Sequence, residues 1–261
     1  MRNIFKTAVL AAATSMSCWM IGQAADQRIK PTIVLVHGAF AESASWNGVI
    51  GELSKNGYIA IAAANPLRSV AGDAAAVASV IRSIAGPVVL VGHSYGGPVI
   101  TEAANGNPNV KALVYVAAFA PETGESSLSL SGKFPGSTLG EALVTAALPG
   151  GGQDLYIRPE RFHDQFAADV AEDEARLMAA TQRPVAEAAL AEPSGTASWK
   201  TLPSYAIYGS ADRNIPPAAM SFMAKRSHAV KTMVIEGASH ALMVSHPREI
   251  ASFIEEAASA N

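Results

Sequence analysis

The chain has 261 residues, 49% of them hydrophobic and 16% charged, with a formal net charge of −3. That is ample apolar material for a large buried core and far too little charge for a disordered chain. With a negative balance and no Lys/Arg-rich run, neither nucleic-acid binding nor a polybasic membrane patch has electrostatic support.

The first residues read as a leader. Arg2 and Lys6 make a basic start, an Ala-rich apolar stretch runs from Ala8 to Ile21, and Gly22 and Ala24 suit cleavage just before Ala25. The apolar stretch is short for a spanning helix and is broken by Thr14, Ser15 and Ser17. Residues 1–24 are therefore expected to be a cleaved signal peptide, and 25–261 a single α/β domain. The protein is expected to be exported, periplasmic or secreted, with no stable membrane association after cleavage. Cys18, the single cysteine, leaves with the leader, so the mature chain relies on its core rather than on disulfides.

From Pro31 onward, short β-branched runs alternate with Ala-rich helical stretches. Strands are expected near 32–36, 58–63, 87–91, 110–117, 205–208 and 232–235. Their near-continuous hydrophobicity is that of parallel strands covered on both faces. Helices are expected near 45–56, 70–84, 95–105, 217–226 and 247–258. This alternation predicts right-handed crossovers and a doubly wound, mainly parallel sheet. One segment, about 121–202, breaks the rhythm. It shows no convincing strand, only short helical pieces near 138–147, 159–168, 171–181 and 184–191, so a helical cap over the strand ends is expected.

The strongest chemical signal is Gly92-His93-Ser94-Tyr95-Gly96, a G-x-S-x-G directly after a strand and directly before a helix. That context makes Ser94 the expected nucleophile, held on a strained turn with its hydroxyl above the sheet edge, where side chains at Gly92 and Gly96 would collide. The following helix aims N–H groups and its positive end at developing negative charge. A serine hydroxyl needs a base. His240, in a loop after the last strand, is placed best. His93, His163, His228 and His246 are placed worse, and His37 is expected to shape the first loop. Asp212, after the preceding strand, is expected to orient the imidazole. Asp212 as a helix cap, with Glu122 or Glu125 as the acid instead, stays an alternative. Backbone N–H groups of Ala39 and Tyr95 are the expected oxyanion donors, with Phe40 as the second choice to Ala39. Phe134, Tyr156, Phe162, Phe166 and Trp199 in the cap, with Trp46 and Met243 nearer the triad, are candidates to line an apolar substrate pocket. Each is also a candidate for plain core packing. There is no H-E-x-x-H and no Cys/His cluster, so no metal and no cofactor are expected.

With these pieces in order, the mature chain resembles the α/β-hydrolase superfamily, most of all the compact branch of plant-type carboxylesterases, hydroxynitrile lyases and many bacterial hydrolases. Three blocks carry the likeness: TIVLVHGAF (32–40), VVLVGHSYGG (88–97) and YGSADRNIPP…EGASHALMVSHP, ending at Pro247. The resemblance implies a six-stranded core lacking the superfamily's first hairpin, an inserted cap, no cofactor, and hydrolysis of a small, largely apolar ester through an acyl-enzyme. It leaves open hydroxynitrile-lyase chemistry, which wants a site lysine such as Lys133 or Lys200. It also leaves open carbon–carbon bond or lactone hydrolysis, and a slow ligand receptor. An aspartate at the elbow would be needed for dehalogenation, and Ser94 stands there.

Overall fold

The computed structural model describes residues 29–260; the expected leader, with Cys18, lies outside them. Nine strands follow in chain order: β1 (Thr32–Val36), β2 (Ala60–Ala63), β3 (Val88–His93), β4 (Val110–Val116), β5 (Leu143–Ala147), β6 (Gln153–Ile157), β7 (Val185–Ala186), β8 (Ser204–Gly209) and β9 (Lys231–Ile235). Six form one sheet in the order β2-β1-β3-β4-β8-β9. Every pairing in it is parallel. β3 and β8 are buried at every residue, as their unbroken apolar runs require.

The path β1-to-β2 runs one way along the sheet and β2-to-β3 runs back the other. Right-handed crossovers then put the helices Asn47–Lys55 and Val70–Arg82 on opposite faces. Asn47–Lys55 packs on the final helix Pro247–Ser259, and Val70–Arg82 packs on Gly96–Ala103. The reversal places a crevice between the carboxyl ends of β1 and β3, the position where open α/β sheets take ligands. Ser94 follows β3 and Ala39 follows β1, so both reach that crevice.

The insertion differs from the sequence expectation in one respect. It holds helices at Ser127–Ser131, Leu139–Ala142, Pro159–Phe166, Glu172–Thr181 and Glu187–Ala191, but also a three-stranded sheet in the order β5-β6-β7. β5 and β6 are antiparallel, with Leu143 opposite Ile157 and Ala147 opposite Gln153. The helix expected over 138–147 therefore stops at Ala142. Pro149-Gly150-Gly151-Gly152 closes the hairpin, with positive φ at Gly151 and Gly152. β-branched Val144 and Thr145 favour the strand that leads into it.

The cap is fastened along one edge. Arg68 pairs with Asp154 at 2.6 Å, and its guanidinium also donates to the Pro184 carbonyl. The N–H of Ala186 donates to the Leu67 carbonyl, and Arg183 pairs with Glu42. Glu192 accepts from the N–H groups of Val70 and Ala71, so a cap carboxylate satisfies the positive end of a core helix. Among the described residues no helix is long and apolar enough to cross a membrane.

Candidate active site

Ser94 sits on the turn between β3 and the helix Gly96–Ala103 with φ 54, a left-handed conformation costly for a non-glycine residue. Close packing imposes it. A Cβ on Gly92 would stand 2.6 Å from the Gly96 carbonyl oxygen, and one on Gly96 would stand 2.5 Å from that of Val36. The carbonyl of Ser94 is held by the N–H groups of Gly97 (3.0 Å) and Phe119 (3.3 Å). The backbone thus fixes the serine from both sides.

Asp212 and His240 meet after β8 and β9. His240 Nδ1 lies 2.6 Å from Asp212 Oδ2, with both side chains essentially inaccessible. A carboxylate on Nδ1 puts the ring proton there and leaves Nε2 as the acceptor; Nε2 is buried and has no partner among the described residues. Asp212 Oδ1 accepts from the N–H groups of Asn214 (2.7 Å) and Ile215 (2.9 Å), which fixes the carboxylate and aims its other oxygen at the histidine. The pair is tied to the elbow through His93, whose Nε2 donates to the His240 carbonyl at 3.0 Å and whose ring lies 4.7 Å from that of His240. Burial, and next the neighbouring His240, hold the His93 imidazole well below its ordinary pKa, so it stays neutral. Glu122 pairs with Lys200 and Glu125 with Arg226, so both carboxylates are engaged away from His240.

The loop after β1 lies against Ser94: a Cβ on Gly38 would come 2.6 Å from Ser94 Cβ. Its three candidate donors separate cleanly. The Phe40 N–H is engaged by the Arg183 carbonyl at 3.0 Å, whereas the N–H groups of Ala39 and Tyr95 have no acceptor among the described residues. His37 Nδ1 donates to the Gly38 carbonyl, and its Nε2 accepts from the Asn65 N–H. The Gly38 carbonyl and the Ala39 N–H belong to one planar peptide, so holding the first aims the second. Burial lowers the His37 pKa, which keeps the ring neutral and able to accept from Asn65.

A cavity of about 410 Å³ opens on Ser94, Tyr95, Ala39 and Phe40. Its walls are largely apolar, with Leu128, Leu139, Leu143, Leu155, Leu190, Ile215 and Phe119, and Ser127, Ser131, Ser137, Thr145, Glu187 and Asn214 add polar groups. None of the seven pocket candidates lines it. Phe162 and Phe166 are fully buried, Phe166 standing edge-on to His240 at 5.1 Å, and Trp46 and Met243 are inaccessible core. Trp199 donates its indole N–H to the Pro121 carbonyl, Phe134 stacks on Phe222, and Tyr156 lies on β6 outside the cavity. The large rings fill the seams between cap and sheet, where their area is best buried, and leave leucines to face the cavity. Lys133 stands over Phe222 and Lys200 beside Glu122, so neither candidate lysine reaches the cavity. Among the described residues no His/Cys/Asp/Glu group could hold a metal ion.

One feature had no sequence signal. The cap grips the loop that carries His240. The Ala241 N–H donates to the Phe166 carbonyl, and the Ser239 hydroxyl donates to Asp169, whose other oxygen is 3.3 Å from His246 Nε2. Burial raises the Asp169 pKa, but hydrogen bonding, that from Ser239 foremost, outweighs it and holds the carboxyl below its ordinary value.

The sequence profile described as the alpha/beta hydrolase family matches residues 33–253, and the chain belongs to that family. An alpha/beta hydrolase of Aspergillus novofumigatus is 28% identical over 253 residues, covering 88% of this chain and 97% of that one. A carbendazim hydrolyzing esterase of Nocardioides is 34% identical over 110 residues, 37% of this chain and 46% of that one. Among solved structures, polyneuridine aldehyde esterase superposes with a TM-score of 0.77 at 20% identity, covering 87% of this chain and 99% of that one. A pyrethroid hydrolase from Sphingobium faniae superposes at 0.71 and 23% identity, covering 88% and 98%. At these identities the superpositions speak for the fold.

Proposed function

We propose that this member of the alpha/beta hydrolase family is a serine hydrolase that cleaves the ester bond of a small, uncharged, largely apolar substrate through an acyl-enzyme. One observation carries the reading. A buried Asp212–His240 pair with an unpartnered Nε2 is tied through His93 to the elbow whose serine opens onto a largely apolar cavity.

In this reading Ser94 Oγ attacks the ester carbonyl while His240 Nε2 takes its proton. Asp212 stabilises the imidazolium through Nδ1. The Ala39 and Tyr95 N–H groups receive the negative charge that develops on the carbonyl oxygen. His240 then returns the proton to the leaving alkoxide. Water, activated by the same nitrogen, releases the acid and restores Ser94. The apolar walls take the body of the substrate, and the esterase names among the relatives agree with this chemistry. The leader pattern supports placing the mature enzyme outside the cytoplasm.

A fluorophosphonate probe tests the mechanism. Labelling should fall on Ser94, and Ser94→Ala should lose both labelling and hydrolysis of short acyl esters. An unlabelled Ser94, or full activity in Ser94→Ala, overturns the reading. Turnover of cyanohydrins without a trapped acyl-enzyme would transfer the site to lyase chemistry, and tight binding without turnover to a receptor.

A further inference from the structure

Asn214 is 3% exposed and lines the cavity that opens on Ser94. Its orientation is dictated from outside. Gln165 Nε2 lies 2.9 Å from the Arg213 carbonyl and 2.8 Å from Asn214 Oδ1. A backbone carbonyl only accepts, so the Gln165 atom facing it must be the amide nitrogen. The same nitrogen can meet only an oxygen of Asn214. The Thr138 hydroxyl closes the chain by donating to Gln165 Oε1 at 2.8 Å. Asn214 Nδ2 is therefore the end left over, and it has no acceptor among the described residues.

A fixed donor on the wall of a largely apolar cavity is free to pair with a ligand that supplies an acceptor. The Asn214 backbone N–H already bonds Asp212 Oδ1, so this donor sits within two residues of the carboxylate that orients His240. The one carboxylate or cationic side chain lining the cavity is Glu187, which offers nothing to an anion and repels it. We propose that Asn214 is a specificity-determining residue whose amide donates to a second oxygen of the substrate. The substrate class is then an uncharged apolar ester that carries a keto, ether or further ester oxygen beside the scissile group. The inference rests on the hydrolase reading above.

Matched ester pairs that differ only by a ketone or ether oxygen in place of a methylene group test it, with kcat/KM measured for each. The wild type should favour the oxygenated member by about tenfold, the net worth of one neutral hydrogen bond. In Asn214→Ala that ratio should collapse towards one. In Asn214→Asp, which turns the donor into an acceptor of the same shape, it should invert. Thermal melting and fluorophosphonate labelling establish that each variant is folded. A merely structural role would slow both esters equally and leave the ratio standing, which overturns the inference, as does a wild type with no preference. A wild type that turns over no ester would instead overturn the hydrolase reading, and this inference with it.

Discussion

Around the elbow the close contacts are backbone and inaccessible side chains: the Val36 and Gly96 carbonyls against its glycines, His93, and the Asp212–His240 pair that His93 holds. On the cap side stand elements of two to ten residues, joined to the core by side-chain bonds such as Arg68–Asp154 and Glu192 on Val70, with leucines facing the cavity. The first arrangement allows one conformation, because strand and helix close to within atomic contact around it. The second tolerates exchange, because its cavity-facing leucines meet the cavity through side chains rather than through main-chain atoms. Main-chain closure fixes the elbow, and the cavity wall is left to side chains that can be swapped.

The widest test of that contrast is Asp212→Asn. It leaves the cap untouched but offers His240 an amide in place of a carboxylate, and kcat should fall by about 10³- to 10⁴-fold with the fold retained. A loss under about tenfold in steady-state assays would mean another group orients the base. Gly97→Ala comes next. A Cβ there overlaps the Phe119 carbonyl, a contact with no side chain to yield, so denaturant unfolding should show a loss of about 3–5 kcal/mol. Replacements of the cavity-facing Leu143 or Leu190 should stay well below that. If they cost as much, the cap is no more tolerant than the sheet.

A smaller effect is expected from Asp169→Ala, which releases Ser239 and His246 together. Steady-state kinetics should give a kcat lower by about tenfold with KM nearly constant, since the residue holds the His240 loop and lies outside the cavity. A change in KM alone would make it part of substrate binding. Smallest per step is the pH response of the core. His37 and His93 are held below the ordinary imidazole value, so below about pH 6.5 the unfolded chain takes up protons that the native one refuses. Stability is therefore full above that pH and falls as the pH drops towards the folded values, by up to about 1.4 kcal/mol per pH unit for each histidine. Urea midpoints between pH 7 and 5 should show the decline, and His93→Gln should flatten it. An unchanged slope in that variant would assign the effect elsewhere.

The positions of the six sheet strands and the elbow were legible because they rest on signals local in sequence. Continuous β-branched runs mark covered strands, and glycines flank a serine where strand meets helix. The three oxyanion candidates became distinguishable only through Arg183, 143 residues after Phe40, whose carbonyl occupies one of them. The β5–β6 hairpin did have a local sign in Pro149-Gly150-Gly151-Gly152, but the Ala-rich flanks of that turn suit helix and strand alike. The cavity lining was misjudged for a physical reason. Large aromatics gain most from full burial, so Phe162, Phe166 and Trp199 went into seams, and the wall was left to residues with no chemical signature.

The stretch 165–169 gives the cap a consequence for exchange between relatives. Gln165 orients Asn214, Phe166 packs on His240 and accepts from Ala241, and Asp169 secures Ser239. A chimaera that imports a foreign cap replaces these three residues along with the cavity wall, and so inherits a new substrate range together with a misaligned base. Recombination within the family would then succeed when the crossover points leave this short stretch with its native β9 loop, and drift in the leucines of the wall would be the cheaper route to a new substrate.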